Sequence, residues 1–366
     1  MIRKALLLAI VFGAASAGRA VTIQFDYRYD TEGFYSTSDR RAALEYAAGR
    51  FAQYIDDLSA IEPSGANTWE AQFTNPASGL STSVSNLVVP ADTLVLFIGA
   101  RDLGGSTLGR AGPGGFSASG FSDWLDTVDT RGQTGENATP ASDFGPWGGS
   151  MALNSTTNWH FGIANGPAPG QADFVSVVQH ELGHLLGVGT SNSWKAHVKT
   201  DADGDYYFDG PASVLEHGQT IDLQPGGAHW AEDTISRIGN SFQEAAMDPN
   251  ITIGERKRFT ELDLAGLVDI GWEQTVRGDA NADGFVSAAD VELLGANYGR
   301  EGATWEDGDF DGDGDVDLID FSWLVTNYPL SEGESAESLL SQTNVPEPTT
   351  PALLGLGGLA LLKRRR

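Results

Sequence analysis

The chain predicts an α+β fold, on the strength of two strand-like segments and two amphipathic helical ones. VTIQFDYRYD alternates apolar and polar residues from Val21 to Tyr29, as a half-buried strand does. TLVLFIG, Thr93 to Gly99, is the most apolar uninterrupted run and reads as a central strand. From a cap at Ser38 or Asp39 to about Leu58, the apolar residues Ala43, Leu44, Ala47, Phe51, Tyr54, Ile55 and Leu58 recur at helical spacing. A second helix, DFVSVVQHELGHLL, starts at an Asp173 cap, buries Phe174, Val177, Val178, Leu182 and Leu185, and ends at Gly187. The expected architecture is a mixed sheet with two long helices, followed by an irregular half.

The remaining elements follow in order. Trp69 to Phe73 reads as a short strand. Residues 104–149 are rich in Gly, Pro, Ser and Asn, which predicts long loops that shape a cleft. SMALNSTTNWHF, Ser150 to Phe161, is expected as an edge strand over a substrate groove. FTELDLAGLVDIGW, residues 259–272, supplies a closing helix through Leu262, Leu264, Ala265, Leu267 and Val268. At Arg277 the composition turns to Asp, Asn and Gly.

With 22 Lys+Arg against 50 Asp+Glu in 366 residues, the net charge of -28 excludes a nucleic-acid backbone or an anionic lipid surface as partner. Cations suit it better. There is no cysteine, so neither disulfides nor thiolate metal sites exist. Residues 1–20, with Arg3 and Lys4, an apolar stretch from Ala5 to Phe12 and small residues after it, read as a signal peptide cleaved after Ala17 or Ala20. At the other end Val345-Pro346-Glu347-Pro348 precedes an apolar run to Leu362 and a basic end, Lys363 to Arg366. That run is too short for a bilayer span of about 20 residues. Residues 345–366 resemble the PEP-CTERM sorting signal, which implies an exosortase-type processing enzyme and the envelope, surface or extracellular matrix of a Gram-negative-type bacterium.

His180-Glu181-Leu182-Gly183-His184 is an HExxH motif on the second helix. Residues four apart share a helix face, so both imidazoles reach one metal ion, with Glu181 beside them. A catalytic zinc site takes three protein ligands and an open position. Gly187, three after His184, continues the pattern HExxHxxGxxH, but the position of its last His holds Thr190, which is no replacement ligand. The motif resembles the metzincin metallopeptidases, in particular leishmanolysin-like and matrixin-like members in which an insertion precedes the third His. The resemblance spans 21–275 and is strongest over 173–272. It implies a zincin catalytic domain, His229 before Trp230 as third ligand, and a Met-turn at Ala246-Met247-Asp248-Pro249. His217 and His197 within the insertion stay open as alternative ligands. His160 is expected to pack beside Trp159.

DANADGFVSAAD from Asp279 and DFDGDGDVDLID from Asp309 both carry oxygen donors at loop positions 1, 3, 5, 9 and 12, with Gly284 and Gly314 at position 6. The first offers Asp279, Asn281, Asp283, the Phe285 carbonyl, Ser287 and Asp290. The second offers Asp309, Asp311, Asp313, the Asp315 carbonyl, Asp317 and Asp320. Six aspartates in the second loop repel one another unless a cation lies among them. Two such loop–helix repeats, with Asp rather than Glu at position 12, resemble a dockerin module over 277–329, joined to the tail by a linker at 330–344. That resemblance implies two Ca²⁺ and a cohesin-like partner. Asp201, Asp203 and Asp205 form a third candidate calcium site within the insertion, or a polar turn.

The resemblance implies an exported zinc endopeptidase that cleaves protein or peptide substrates. Zn²⁺ on three imidazoles activates a water, and Glu181 is the general base. The alternative, from another functional class, is a catalytically silent, calcium-binding surface or matrix protein that keeps the peptidase fold.

Overall fold

The computed structural model describes residues 19–56, 58–330 and 339. Residues 1–18 of the expected signal peptide (1–20), nearly all of the linker and the sorting tail lie outside the described residues. In chain order the N-terminal half runs β1 (Thr22–Asp26), α1 (Ser38–Gly49), β2 (Thr68–Thr74), β3 (Ser81–Ser85), β4 (Thr93–Arg101), β5 (Gly109–Pro113), β6 (Gly115–Ser119), α2 (Ser122–Thr130), β7 (Gly148–Asn154) and α3 (Phe174–Leu185). The segment after α3 adds α4 (Asn192–His197), β8 (Val198–Thr200), β9 (Tyr206–Phe208), α5 (Pro211–His217) and β10 (Ile221–Asp222). A hairpin of β11 (Ile235–Ile238) and β12 (Ser241–Glu244) leads to α6 (Glu261–Asp269), and the acidic C-terminal part carries α7 (Ala288–Asn297) and α8 (Leu318–Asn327). The fold is mixed α+β.

The main sheet has the order β1-β4-β7-β5, with β1, β4 and β7 parallel and β5 antiparallel at the edge. Helices α1 and α3 pack together on one face. There Leu94, Leu96 and Ile98 of β4 meet Ala43, Leu44, Val178 and Leu182. On the opposite face Val95 and Phe97 join Trp69, Phe73 and Trp147, with the Phe73 and Phe97 rings stacked 4.3 Å apart. Burial on both faces is why β4 reads as a continuous apolar run. Truncating one of these residues, such as Leu182→Ala, costs about 2–5 kcal/mol.

Three expectations are corrected. Helix α1 stops at Gly49 rather than near Leu58, and Thr37, not Ser38 or Asp39, holds its N-cap position. Gly49 is a poor helix former, and a side chain there would meet Thr304 of the C-terminal part at 2.7 Å. Phe51, Tyr54 and Leu58 are buried all the same, through a turn and a short strand, Tyr54–Asp56. Residues 104–149 contain β5, β6 and α2 instead of loops alone. Their glycines allow close approach, as at Gly114 between β5 and β6, where the Trp147 ring occupies the space of a side chain. The strand expected at the edge, β7, is interior and buried along its whole length between β4 and β5.

The C-terminal part has its own core, with Val286, Val291, Leu294, Trp305, Phe310, Val316, Phe321 and Leu324 buried together. Ser287 and Asp317 each cap the helix that follows through a capping box closed by Asp290 and Asp320.

Candidate metal centres

Asp173 opens α3 by accepting the Ser176 amide, and Gly187, at φ +112°, lies just beyond its end. One turn of this helix aligns His180 and His184, with ring centroids 4.9 Å apart. His229 arrives from 45 residues beyond His184, and its Nε2 lies 2.9 Å from the His184 Nε2. Its ring stacks on His180 at 5.2 Å. The three rings present one nitrogen each within 4.8 Å of one another.

Backbone carbonyls orient the helical pair. His180 Nδ1 donates to Ala246 O at 2.7 Å and His184 Nδ1 donates to Val188 O at 2.9 Å, which leaves each Nε2 with a lone pair toward the third ring. Burial holds all three imidazoles below their ordinary pKa, His229 at about 4 with His184 adding to the shift. They are neutral donors at neutral pH. His229 Nδ1 is buried without a partner, an orphaned polar atom at the cluster, and His229 Nε2 stands at hydrogen-bond distance, 2.9 Å, from the His184 Nε2. Neutral imidazoles without thiolate or carboxylate suit a borderline divalent ion of the first transition row.

The segment between α3 and β11 carries His229 to the helical pair. Trp194, Phe208 and Trp230 form a fully buried aromatic stack, with Trp194 and Phe208 4.2 Å apart and Trp230 5.0 Å from Trp194. A tight turn closed by Gln224 N–H to His229 O, at 3.1 Å, presents the histidine. Thr190 donates its hydroxyl to the His184 carbonyl at 2.8 Å and takes no ligand position. His197 pairs with Asp209 at 3.2 Å, and His217 ends α5; neither joins the cluster. His160 bonds Asn165 O at 2.7 Å beside the buried Trp159.

Met247 lies under the cluster, fully buried. A side chain on Gly183 would run into its sulfur, so the helix rests directly on this turn. Asp263 of α6, which sequence reasoning assigned no role, ties the pieces together. Its carboxylate accepts the Trp230 indole N–H at 2.8 Å, the Ala246 and Met247 amides at 2.8 and 3.1 Å, and the Thr260 amide and hydroxyl, each at 2.7 Å. One buried carboxylate thus fixes the turn that orients His180 and the residue next to His229. The available signal was an acidic residue set between two core leucines, Leu262 and Leu264.

Glu181 is also buried, against β5. It accepts the Ala111 amide, and a side chain on Gly109 would meet its Oε1 at 2.6 Å. Burial raises its pKa to about 8, while Ala111 and Arg110 pull it down. A dication alongside would lower it further. Neither Gly109 nor Ala111 was singled out from the sequence, because the contact joins a strand and a helix some 70 residues apart.

The two acidic loops share one wiring. Position 1 accepts the position-6 amide, Asp279 from Gly284 at 2.9 Å and Asp309 from Gly314 at 3.0 Å. Position 12 accepts the amide at position 2, Asp290 from Ala280 at 2.9 Å and Asp320 from Phe310 at 2.7 Å. In the second loop the carboxylates of Asp309, Asp311 and Asp313, and those of Asp315, Asp317 and Asp320, converge as two triads within 4.8 Å. Asp311 Oδ2 and Asp315 Oδ1 are buried with no hydrogen-bond partner. Burial, reinforced by neighbouring carboxylates, pushes Asp309 to about 7, Asp311 to about 6 and Asp320 to about 9. Orphaned oxygens and mutually repelling acids fit a hard cation. Asp201, Asp203 and Asp205 instead form the exposed turn between β8 and β9, where Asp201 Oδ1 accepts the amides of Asp203 and Asp205 at 2.9 and 3.0 Å. They do not converge on a cation position.

Comparison with curated proteins finds no match, and comparison with solved structures finds none either. Among the described residues no helix is long and apolar enough to cross a membrane. Residues 344–366 match the PEP-CTERM protein-sorting motif, which marks the chain as an exported protein, sorted to the cell envelope of Gram-negative bacteria and processed by an exosortase-type enzyme.

Proposed function

We propose that the chain is an exported, zinc-dependent endopeptidase of metzincin type, with a dockerin-like calcium module behind it. The observation that carries this reading is the convergence of His180, His184 and His229 with Glu181 buried beside them and Met247 beneath. Three neutral imidazoles of this chain would hold the ion, and the Ala246 and Val188 carbonyls keep two of them in the ligating tautomer. Zinc in that position supplies Lewis acidity and brings the pKa of water toward neutrality. Glu181 takes the proton of the attacking water and returns it to the leaving amine. Strand β5 is the edge of the sheet, and its Ala111 amide faces Glu181 rather than β7, so an extended peptide laid along β5 brings its backbone to the acid–base residue. The reaction is hydrolysis with no covalent enzyme intermediate.

Metal analysis combined with casein cleavage tests the reading. One zinc per chain and cleavage abolished in Glu181→Gln are expected. Full zinc occupancy without Glu181-dependent cleavage would instead establish the silent surface protein.

A further inference from the structure

The two acidic loops differ in what surrounds them. In the first, Asn281, Asp283 and Phe285 are exposed, Phe285 at 71%. The second is turned inward. Asp309 and Asp311 are 4% and 2% exposed, and the surface that covers them belongs to the N-terminal body. A side chain on Gly312 would run into the Arg50 guanidinium, and one on Gly314 into Arg258. Gly239, at the tip of the β11–β12 hairpin, comes as close to Asp311, whose Oδ2 a Cβ there would meet at 2.8 Å. Arg277 pairs with Glu261 of α6 and stacks on Trp323 of α8 at 4.6 Å.

The charges match this arrangement. A single dication offsets only a third of six carboxylates, and the guanidinium groups of Arg50 and Arg258 lie against the loop at Gly312 and Gly314. Arg258 Nη1 is itself buried without a hydrogen-bond partner, held against the loop by charge and packing.

From the loop the contacts lead to the histidine helix in two steps. Arg50 donates through Nε and Nη2 to Phe259 O at 3.4 and 3.2 Å. The Phe259 amide donates to Gln179 Oε1 at 3.1 Å, and its ring lies where a side chain on Gly183 would meet it at 3.0 Å. Gln179 is next to His180. Tyr46, Arg50, Gln179 and Arg258 line a small cavity whose far wall is Thr304, Trp305 and Asp309.

We propose that the partner of the acidic C-terminal module is the body of this same chain, and that cation occupancy of Asp309–Asp320 is linked through Arg50, Arg258 and Phe259 to the order of α3. The proposal rests on the reading of that loop as a cation site and is independent of peptidase activity. Its consequence is that loop and histidine helix gain or lose order together, while the first loop titrates alone.

Amide hydrogen exchange on the full chain carrying Glu181→Gln, with zinc held constant, tests the link without turnover. Calcium is expected to slow exchange tenfold or more in peptides covering 174–187 and 257–262, near the unfolding temperature. Asp309→Asn with Asp311→Asn removes that protection. Asp279→Asn with Asp283→Asn leaves it in place. Arg50→Gln with Arg258→Gln keeps calcium binding at the second loop, read by calorimetry, and loses the protection of 174–187. Calcium protection confined to 279–329 would overturn the proposal, as would coupling that survives the double arginine change or no calcium binding at the second loop. A chain that proves silent as a peptidase gives the same exchange result, so the two readings fail separately.

Discussion

The histidine cluster and the second aspartate loop both gather like groups at one point, yet they stand in opposite relations to an ion. The histidines are neutral, and backbone carbonyls and the Asp263 hub hold them in place. The aspartates carry charge, and burial and mutual repulsion push them toward protonation. On the proposed reading, the first site is assembled by the protein for an ion and the second would be completed by one. Chemistry and stability therefore separate between the two sites, and substitutions expose the division.

The largest effect is expected at the histidine cluster and leaves stability nearly untouched. Glu181→Gln lowers casein hydrolysis by roughly 10²–10⁴-fold, with metal content unchanged by elemental analysis, while His184→Ala loses both. Next comes the frame shared by the ligands. Asp263→Ala leaves the buried Trp230, Ala246, Met247 and Thr260 donors unpaired and costs about 3–5 kcal/mol in denaturant unfolding. A loss under 1 kcal/mol would show that the Met247 turn holds itself. Calcium then tests the aspartate side. At a hundredfold excess over its dissociation constant it adds about 2.7 kcal/mol, seen as a calcium-dependent unfolding midpoint that Asp309→Asn removes and His184→Ala retains.

The smallest effect belongs to a carboxyl with no cation position beside it. Burial raises Glu136 to about 7 from 4.5, against the pull of the Gly145 amide. The folded state then holds a proton that the unfolded state has released between those two values, so stability falls as pH rises through that window. Glu136→Gln abolishes this slope and is more stable than the parent above pH 7 by about 1 kcal/mol, a figure discounted for its half-buried position. Calcium leaves the Glu136 slope unchanged if the contrast between cation-dependent and cation-independent acids holds.

What the sequence made legible was local. The spacing of His180 and His184, the cap at Asp173, the apolar run of β4 and the twelve-residue rhythm of the acidic loops each depend on neighbours in the chain. His229 came from a family resemblance, and the structure brings it to the helical pair while leaving His217 and His197 elsewhere. What stayed hidden depends on pairings between distant segments. Strand β5 opens on Gly109 because Glu181 occupies the space of a side chain there, and that glycine reads as loop. Apolar spacing past Gly49 continues through a turn, where Thr304 of the C-terminal part packs against the glycine. Asp263 shows its five hydrogen-bond donors only once α6 meets Trp230 and the Met247 turn.

The position of Asp263 also sets a timetable. An exported chain threads out from its N-terminus, so His180 and His184 emerge some 80 residues ahead of the carboxylate that anchors the floor beneath them. On the proposed peptidase reading, a partly translocated or truncated chain carries the motif without its foundation and is expected to be inert. The proposed activity would then arise only after residue 263 has left the cell, which protects the chain from itself during passage.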